Sequence, residues 1–161
     1  MACGIRAVHR RVGRTVDNWI HDLQGPQGQV KLKDLLRLHE GERNLPYEDS
    51  VGKLTIGVGH NLDRPISARA IEVILDDDIA EAKAELDKVF PKWQSLTETR
   101  QNTLIDMMFN LGRPRFMKFI KFWEALKRDD YKAAAKEMLQ SRWAGQVGER
   151  ATRLSKMMTD G

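Results

Sequence analysis

Apolar residues recur at helical spacing along much of this chain, and glycines interrupt the pattern. A helix is predicted over residues 30–40, ending at Glu40 where Gly41 follows. Its apolar positions are Val30, Leu32, Leu35, Leu36 and Leu38. A longer helix is predicted from an N-cap at Ser67 to about Val89. Further helices are predicted from Thr97 to Gly112 and over residues 116–127, 130–140 and 147–158.

A different pattern lies between Leu45 and His60, where short β-rich runs are separated by glycines. Gly52 suits a turn, and Gly57 and Gly59 mark places where the backbone bends or is approached closely. We therefore predict a small antiparallel β element over residues 45–60, with strands only between Leu45 and Val58. The fold class is α+β and mainly helical.

An amphipathic helix is also predicted over residues 10–24, and Gly25-Pro26 ends it. Residues 1–28 would then form an extension ahead of a catalytic domain over residues 29–161. The apolar face of this helix contains Val12, Val16, Trp19, Ile20 and Leu23. The opposite face contains Arg10, Arg11 and Arg14, so contact with an anionic membrane surface is one interpretation. Two aspartates dilute that charge, and we favour packing of the apolar face on the rest of the protein.

Composition is typical of globular proteins, with 41% hydrophobic and 31% charged residues. The 161 residues suffice for one core or for two small lobes. No run of about 18 apolar residues occurs, and the first residues lack the apolar stretch of a secretory signal. We therefore expect neither a membrane span nor a standard export peptide. Cys3 is the single cysteine, which excludes an internal disulfide and indicates a reducing compartment.

The net charge is +4, from 27 Lys and Arg against 23 Asp and Glu. These charges are interleaved along the chain, whereas nucleic-acid binders cluster their cations, so we expect no nucleic-acid partner. Two interpretations of the net charge remain equally good. Either the protein is attracted to an anionic bacterial envelope, or it is a mildly basic protein with no charged partner.

Two carboxylates in the central segment have a spacing that suits glycosidic chemistry. Glu40 ends the predicted helix, Asp49 follows nine residues later, and Thr55 lies six residues beyond Asp49. Carboxylates held on either side of a hairpin mouth can face each other across a sugar, as glycoside hydrolysis requires. A helix C-terminus disfavours negative charge, which favours the protonated form that a general acid needs at Glu40. Asp49 sits in a polar turn, where we expect it to stay ionised.

The order of these residues resembles the catalytic segment of the phage T4-type lysozymes. The resemblance rests on Glu-Gly at 40–41, Tyr-x-Asp at 47–49 and Gly-x-x-Thr-Ile-Gly-x-Gly-His at 52–60. It continues through residues 103–112, through Ser-Arg-Trp at 141–143 and through Arg-Ala-x-Arg at 150–153, so that it covers roughly residues 30–158. It implies a small N-terminal β-hairpin lobe and a helical C-terminal lobe, joined by the long helix that follows Ser67.

The resemblance also implies the chemistry. Glu40 matches the family's general acid, Asp49 its catalytic aspartate and Thr55 the threonine that helps to hold the attacking water. Inversion with a water nucleophile is implied, which predicts a carboxyl separation of about 6.5–9.5 Å. No cofactor is implied. Since no His-x3-His or cysteine cluster accompanies His60, no metal site is predicted.

Other positions receive roles only through the resemblance. Substrate contact is implied for Phe109, Asn110, Asn61 and Glu137, and also for Phe122. Asn61, Phe122 and Glu137 differ in kind from the family's residues, and core packing is an equal alternative for Phe109. A structural pairing is implied for His60 with Asp78, and Arg150 matches an arginine that faces the catalytic glutamate. The rival carboxylates Glu42 and Glu48 are interpreted as solvated surface groups.

The predicted function is hydrolysis of bacterial peptidoglycan by a monomeric endolysin. Without an export signal, the enzyme would be made in the host cytoplasm and reach the periplasmic peptidoglycan through a holin or as part of a virion. Two alternatives are a lytic transglycosylase, which needs no water-positioning Asp49 and Thr55, and a non-catalytic wall-binding module on the same fold.

Overall fold

Residues 31–161 are described by a computed structural model, in which the chain divides into two units between Ile66 and Ser67. The extension over residues 1–28, with its predicted helix over residues 10–24, lies outside the described residues.

The first unit places one helix ahead of a small antiparallel sheet. Helix α1 spans Leu32–Glu40, and the strands are β1 (Arg43–Glu48), β2 (Leu54–Gly57) and β3 (His60–Asn61). The strand order is β1-β2-β3. In this register the central residue Thr55 is opposite Tyr47 on β1 and Asn61 on β3. Thr55 is the one buried residue of the described part of this unit.

Glycines set the bends of this unit, as the sequence predicted. Gly41 ends α1 with φ +75°, and its N–H donates to the Arg37 carbonyl. Gly52, Gly57 and Gly59 also have positive φ, a conformation that residues with a Cβ adopt at a cost. The sheet is slightly larger than predicted, because β1 begins two residues before Leu45 and β3 adds a third strand beyond Val58.

The second unit is helical throughout its length. The long helix α2 spans Ala68–Val89, and the Ser67 hydroxyl caps it by accepting from the Ala70 N–H. After a 3-10 helix over Pro91–Ser95, the remaining helices are α3 (Glu98–Phe116), α4 (Ile120–Lys127), α5 (Tyr131–Leu139), α6 (Arg142–Val147) and α7 (Glu149–Asp160). The described elements thus form the predicted α+β class, in which helices predominate.

Several helix boundaries differ from the prediction, and one helix was not predicted. Gly112 breaks α3 with φ +65°, as expected of the predicted stop, but a further helical turn continues to Phe116. Helix α4 begins at Ile120 and not at residue 116. Helix α6 was not predicted, because its six residues are too few to establish a period.

Aromatic and sulfur-containing side chains form the core of the second unit. Phe116 contacts the rings of Phe122 and Trp123, at centroid distances of 5.5 and 4.6 Å. The Trp123 Nε1–H donates to the Phe116 carbonyl, so the buried indole has a polar partner. Other fully buried side chains are Leu86, Leu104, Met107, Leu126, Met138 and Met158. In the described part of the chain, no helix combines the length and apolar character needed to cross a bilayer.

Candidate active site

Glu40 is the last residue of α1, and its side chain lies beside the turn between β2 and β3. A Cβ placed on Gly59 would lie 3.5 Å from Glu40 Oε2 and 3.7 Å from its Cγ. Gly59 has φ +71°, so glycine both allows this turn and keeps it free of a side chain beside the carboxylate. The Glu40 carboxylate therefore lies at the end of α1, next to the β2–β3 turn.

Glu42 is held away from this arrangement by an ion pair. Its Oε2 accepts from Arg37 Nε at 2.9 Å, and Arg37 also contacts Asp34 at 3.3 Å. The Glu42 side chain is 63% exposed. Glu48 is an exposed residue at the end of β1. Both rival carboxylates therefore have surface positions.

Asp49 organises the turn between β1 and β2 through one carboxylate oxygen. Its Oδ1 accepts from the backbone N–H of Val51 at 2.9 Å and of Lys53 at 2.8 Å. Its own N–H donates to the Lys53 carbonyl at 2.9 Å, and its carbonyl accepts from the Gly52 N–H. Among the described residues, no hydrogen bond is recorded to Asp49 Oδ2. One oxygen therefore fixes the turn, and the second can accept from a ligand or water.

Thr55 is connected to Asp49 through the backbone of Lys53. The Thr55 hydroxyl donates to the Lys53 carbonyl at 3.1 Å, the same carbonyl that accepts from the Asp49 N–H. Thr55 is only 3% exposed and lies on the central strand. Because the hydroxyl proton is used in this bond, its oxygen lone pairs remain as acceptors.

Two further residues of the first unit lie on β3. Asn61 is opposite Thr55, and its Oδ1 accepts from the Asp63 N–H at 2.8 Å, which shapes the loop that follows. His60 is opposite Ile56 and is exposed. Its predicted partner Asp78 is an exposed residue of α2 in the second unit. The His60–Asp78 pairing stays a prediction.

The second unit contains a separate cavity of about 1050 Å³, lined by residues from α3 to α6. Asn110 and Glu137, two of the residues with implied substrate contact, both line it, as does Trp143. The Trp143 Nε1–H donates to Asn110 Oδ1 at 2.7 Å, which leaves the Asn110 amide NH2 as a donor. This cavity is an open groove whose walls contain both polar and aromatic side chains.

The remaining predicted residues of this unit have varied surroundings. Phe109 is 45% exposed on α3, whereas Phe122 is fully buried in the core. Arg150 donates from Nε to Asp106 Oδ1 at 2.9 Å, so α7 and α3 are joined by an ion pair whose side chains are 34% and 36% exposed. No prediction assigned this partner to Arg150.

Sequence reasoning missed two features of these sites. Lys53 acts through its backbone, and a backbone hydrogen bond leaves no signature in residue type. The cavity is lined by residues from four helices, so no local spacing in the sequence predicts it. Trp143 is part of the Ser-Arg-Trp motif at 141–143, but no prediction assigned it to a site, although an indole beside polar residues commonly uses its N–H there. Within residues 31–161, no group of three or more His, Cys, Asp or Glu is arranged to hold a metal ion.

Comparison with known proteins identifies a family whose model matches this chain. The family model described as phage lysozyme matches residues 37–157, about three quarters of the chain. This match includes Glu40, Asp49, Thr55 and the cavity of the second unit.

Individual relatives are distant in sequence. The chain is 24% identical over 160 residues to the probable T4-type lysozyme 1 of Dictyostelium discoideum, covering 81% of this chain and 94% of that protein. It is 28% identical over 110 residues to an endolysin of Acyrthosiphon pisum secondary endosymbiont phage 1, covering 66% of this chain and 73% of that protein. It is 26% identical over 161 residues to the pre-baseplate central spike protein Gp5 of Enterobacteria phage T4, covering 82% of this chain but 28% of that protein.

Proposed function

This chain belongs to the phage lysozyme family and is a glycoside hydrolase that acts on peptidoglycan; from that premise we propose a muramidase with a defined set of catalytic residues. The bond cleaved is the β-1,4 link between N-acetylmuramic acid and N-acetylglucosamine. Glu40 is the general acid, and Asp49 with Thr55 positions the attacking water. The stereochemical outcome is inversion at the anomeric carbon.

The observation that carries this proposal is that the two carboxylate oxygens of Asp49 have different surroundings. Two backbone N–H groups hold Oδ1, which fixes the carboxylate without consuming Oδ2. Oδ2 is then available to accept a proton from water. The Thr55 hydroxyl, tied to the same Lys53 carbonyl as the Asp49 N–H, offers a lone pair to a second water proton.

The reaction then balances as a direct displacement. Glu40 transfers its proton to the glycosidic oxygen as the bond to the anomeric carbon breaks. The water oxygen forms its bond to that carbon from the opposite face, and Asp49 takes the water proton. The products are a muramic acid reducing end of inverted configuration and a free 4-hydroxyl group. Glu40 ends ionised and Asp49 protonated, and solvent exchange restores both.

Residues outside this trio receive supporting roles. Asn61, Phe109, Asn110 and Glu137 are proposed to contact the substrate. His60, Asp78 and Arg150 are proposed as structural residues around the catalytic groups.

The proposed biological role is host lysis by an endolysin that works as a monomer. The enzyme would be made in the bacterial cytoplasm and gain access to periplasmic peptidoglycan through a holin, or be delivered by a virion. The domain boundary at residues 28–29 and contact of residues 10–24 with an anionic membrane surface also belong to the proposal.

Replacing Glu40 by Gln tests the chemistry. Because glutamine cannot donate the required proton, we expect release of reducing ends from purified sacculi to fall by about 10²–10⁴-fold. The melting temperature should change little, since Glu40 is an exposed residue. Glu42→Gln is the matched control, because it also neutralises an exposed carboxylate two residues away, and it should retain nearly full activity.

The products decide between hydrolysis and its alternatives. NMR during early turnover should show reducing ends of inverted anomeric configuration. Anhydro-muramyl ends would indicate a lytic transglycosylase and contradict the proposal. Binding of sacculi with no soluble fragments released by the wild type would indicate a wall-binding module instead.

A further inference from the structure

One face of the small sheet places an aromatic side chain beside both residues that are proposed to hold water. Residues opposite each other on neighbouring strands share a face of a sheet, and so do residues two apart along one strand. Thr55 is opposite Tyr47 on β1 and Asn61 on β3. Asp49 lies two residues beyond Tyr47, and its N–H donates to the Lys53 carbonyl, which extends the same ladder. Tyr47 is therefore the neighbour of Thr55 across the sheet and of Asp49 along the chain.

An irregularity in the β1–β2 ladder brings a cation onto the Tyr47 ring. Residues four apart on a regular strand are separated by about 13 Å, too far for a contact between Arg43 and Tyr47. Their partners Gly57 and Thr55 are only two residues apart, so β1 contains extra residues at this point, among them Pro46. The Arg43 guanidinium accordingly lies over the Tyr47 ring, 4.4 Å from its centroid. This contact restricts the orientations of the ring.

Thr55 has the surroundings expected of a group that holds one water. It is only 3% exposed, and its hydroxyl donates to the Lys53 carbonyl. The lone pairs of that hydroxyl are left for a ligand. Of the two cross-strand neighbours of Thr55, Tyr47 has the larger side chain, and it is half-buried. A large, fixed ring beside a small polar group limits the positions that a bound water can take.

We propose that Tyr47 is a positioning residue for the attacking water, and that Arg43 holds its ring in place. The inference rests on the proposed function, in which Asp49 and Thr55 hold this water. The Tyr47 ring confines the water between these two groups and exchanges no proton with the substrate. Loss of the ring should therefore slow the chemical step and leave the affinity for substrate nearly unchanged.

The kinetic constants of Tyr47 variants test this role. Initial rates of reducing-end release at increasing concentrations of purified sacculi give kcat and KM. Tyr47→Leu should lower kcat about tenfold and change KM less than about twofold, because a displaced water is seldom aligned for attack. Tyr47→Phe should restore most of the lost kcat, since phenylalanine keeps the ring and its contact with Arg43. An unchanged kcat in Tyr47→Leu, or a defect confined to KM, would overturn the proposal.

Arg43→Gln tests the support of the ring without altering the ring itself. Glutamine removes the cation above Tyr47, so we expect kcat to fall about threefold in the wild type and to stay unchanged in the Tyr47→Leu background. Arg64→Gln is the matched control, because it removes the same charge from another exposed position of the first unit, and it should change kcat less than about 1.5-fold. Equal losses in the two arginine variants would contradict the proposal, because the effect would then follow the net charge alone.

A double-mutant cycle with Thr55→Ala distinguishes positioning of the water from a general effect on the sheet. If Tyr47 acts through the water at Thr55, Tyr47→Leu should lower kcat less than about twofold in the Thr55→Ala background. A tenfold loss in both backgrounds would overturn the inference and leave the catalytic assignment intact. Full activity of Thr55→Ala by itself would instead show that the proposed role of Thr55 in the reaction is wrong.

Discussion

Asp49 combines structural and chemical demands on a single side chain. Its Oδ1 accepts two backbone hydrogen bonds that close the β1–β2 turn, and the proposed reaction needs its negative charge. These demands are separable, since an amide oxygen satisfies the turn while an amide cannot act as the base. Substitution chemistry at this position can therefore distinguish folding from catalysis.

We expect Asp49→Asn to fold normally and to lose activity by about 10²–10⁴-fold, because the acceptor remains and the base is gone. Asp49→Ala should lose activity and also lower the free energy of unfolding by about 1–3 kcal/mol, since two backbone N–H groups lose their partner. Urea denaturation and reducing-end release measure the two effects. Ser50→Ala is the neighbouring control and should be nearly silent. Equal destabilisation by Asn and Ala would show that charge, and not the acceptor, holds the turn.

At the scale of elements, the glycine in the β2–β3 turn lies beside the side chain of Glu40, which belongs to another element. Gly59 has φ +71°, and the space where its Cβ would lie is next to the Glu40 carboxylate. Gly145 provides a contrast inside α6, where a Cβ would meet nothing within 4 Å. The two glycines should therefore respond oppositely to alanine.

Gly59→Ala should lower the free energy of unfolding by about 1–2 kcal/mol, the cost of a left-handed conformation for a residue with a Cβ. It should also reduce activity, because the new methyl group contacts the Glu40 carboxylate. Gly145→Ala should be neutral or stabilise by up to about 1 kcal/mol, since alanine is the better helix former. Thermal unfolding of the two variants tests the pair. A destabilising Gly145→Ala with a harmless Gly59→Ala would contradict the backbone account.

Element boundaries show which physical signals a sequence contains. Ser67 and Thr97 were predicted starts, and both side chains cap their helices by accepting backbone N–H groups. The two-residue β3 and the six-residue α6 were missed, because neither is long enough to establish a period. For the candidate site, residue type and spacing pointed to Glu40 and Asp49. The link between Asp49 and Thr55 could not be predicted, because it passes through backbone atoms of Lys53. The cavity could not be predicted either, because folding brings its four helices together.

At the scale of the whole second unit, polar contacts join segments far apart in sequence. Arg100 donates to the carbonyls of Met158 and Thr159 and lies 3.8 Å from the centre of the Tyr131 ring. Lys92, in the 3-10 helix, donates to both oxygens of Asp129 at 2.8 and 2.7 Å. Tyr131 donates to Asp129 as well, at 3.1 Å. These contacts tie the chain terminus and the α4–α5 connection to the rest of the unit.

The Lys92–Asp129 pair should make stability depend on pH at both extremes. Hydrogen bonds from Lys92 and then Tyr131 lower the pKa of Asp129 from its usual 3.8, and the bond to Asp129 raises the pKa of Lys92 from its usual 10.5. The ionised Asp129 contributes to the free energy of unfolding above pH 3.8. This contribution is lost as the pH falls through the lowered pKa of Asp129. The protonated Lys92 contributes to the free energy of unfolding below pH 10.5. This contribution is lost as the pH rises through the raised pKa of Lys92.

Asp129→Asn isolates this effect, because asparagine tolerates the φ of +58° at this position and alanine would add strain. The wild type should be the more stable protein at neutral pH, by a small amount because both side chains are about half exposed. Urea midpoints across the pH range should show this difference closing below pH 3.8 and again above pH 10.5. Glu124→Gln removes an exposed carboxylate with no ion pair recorded in the described residues, and it should show no such window. A difference that persisted into strong acid would mean that Asp129 stabilises the turn by its backbone conformation, and that the ion pair with Lys92 contributes nothing.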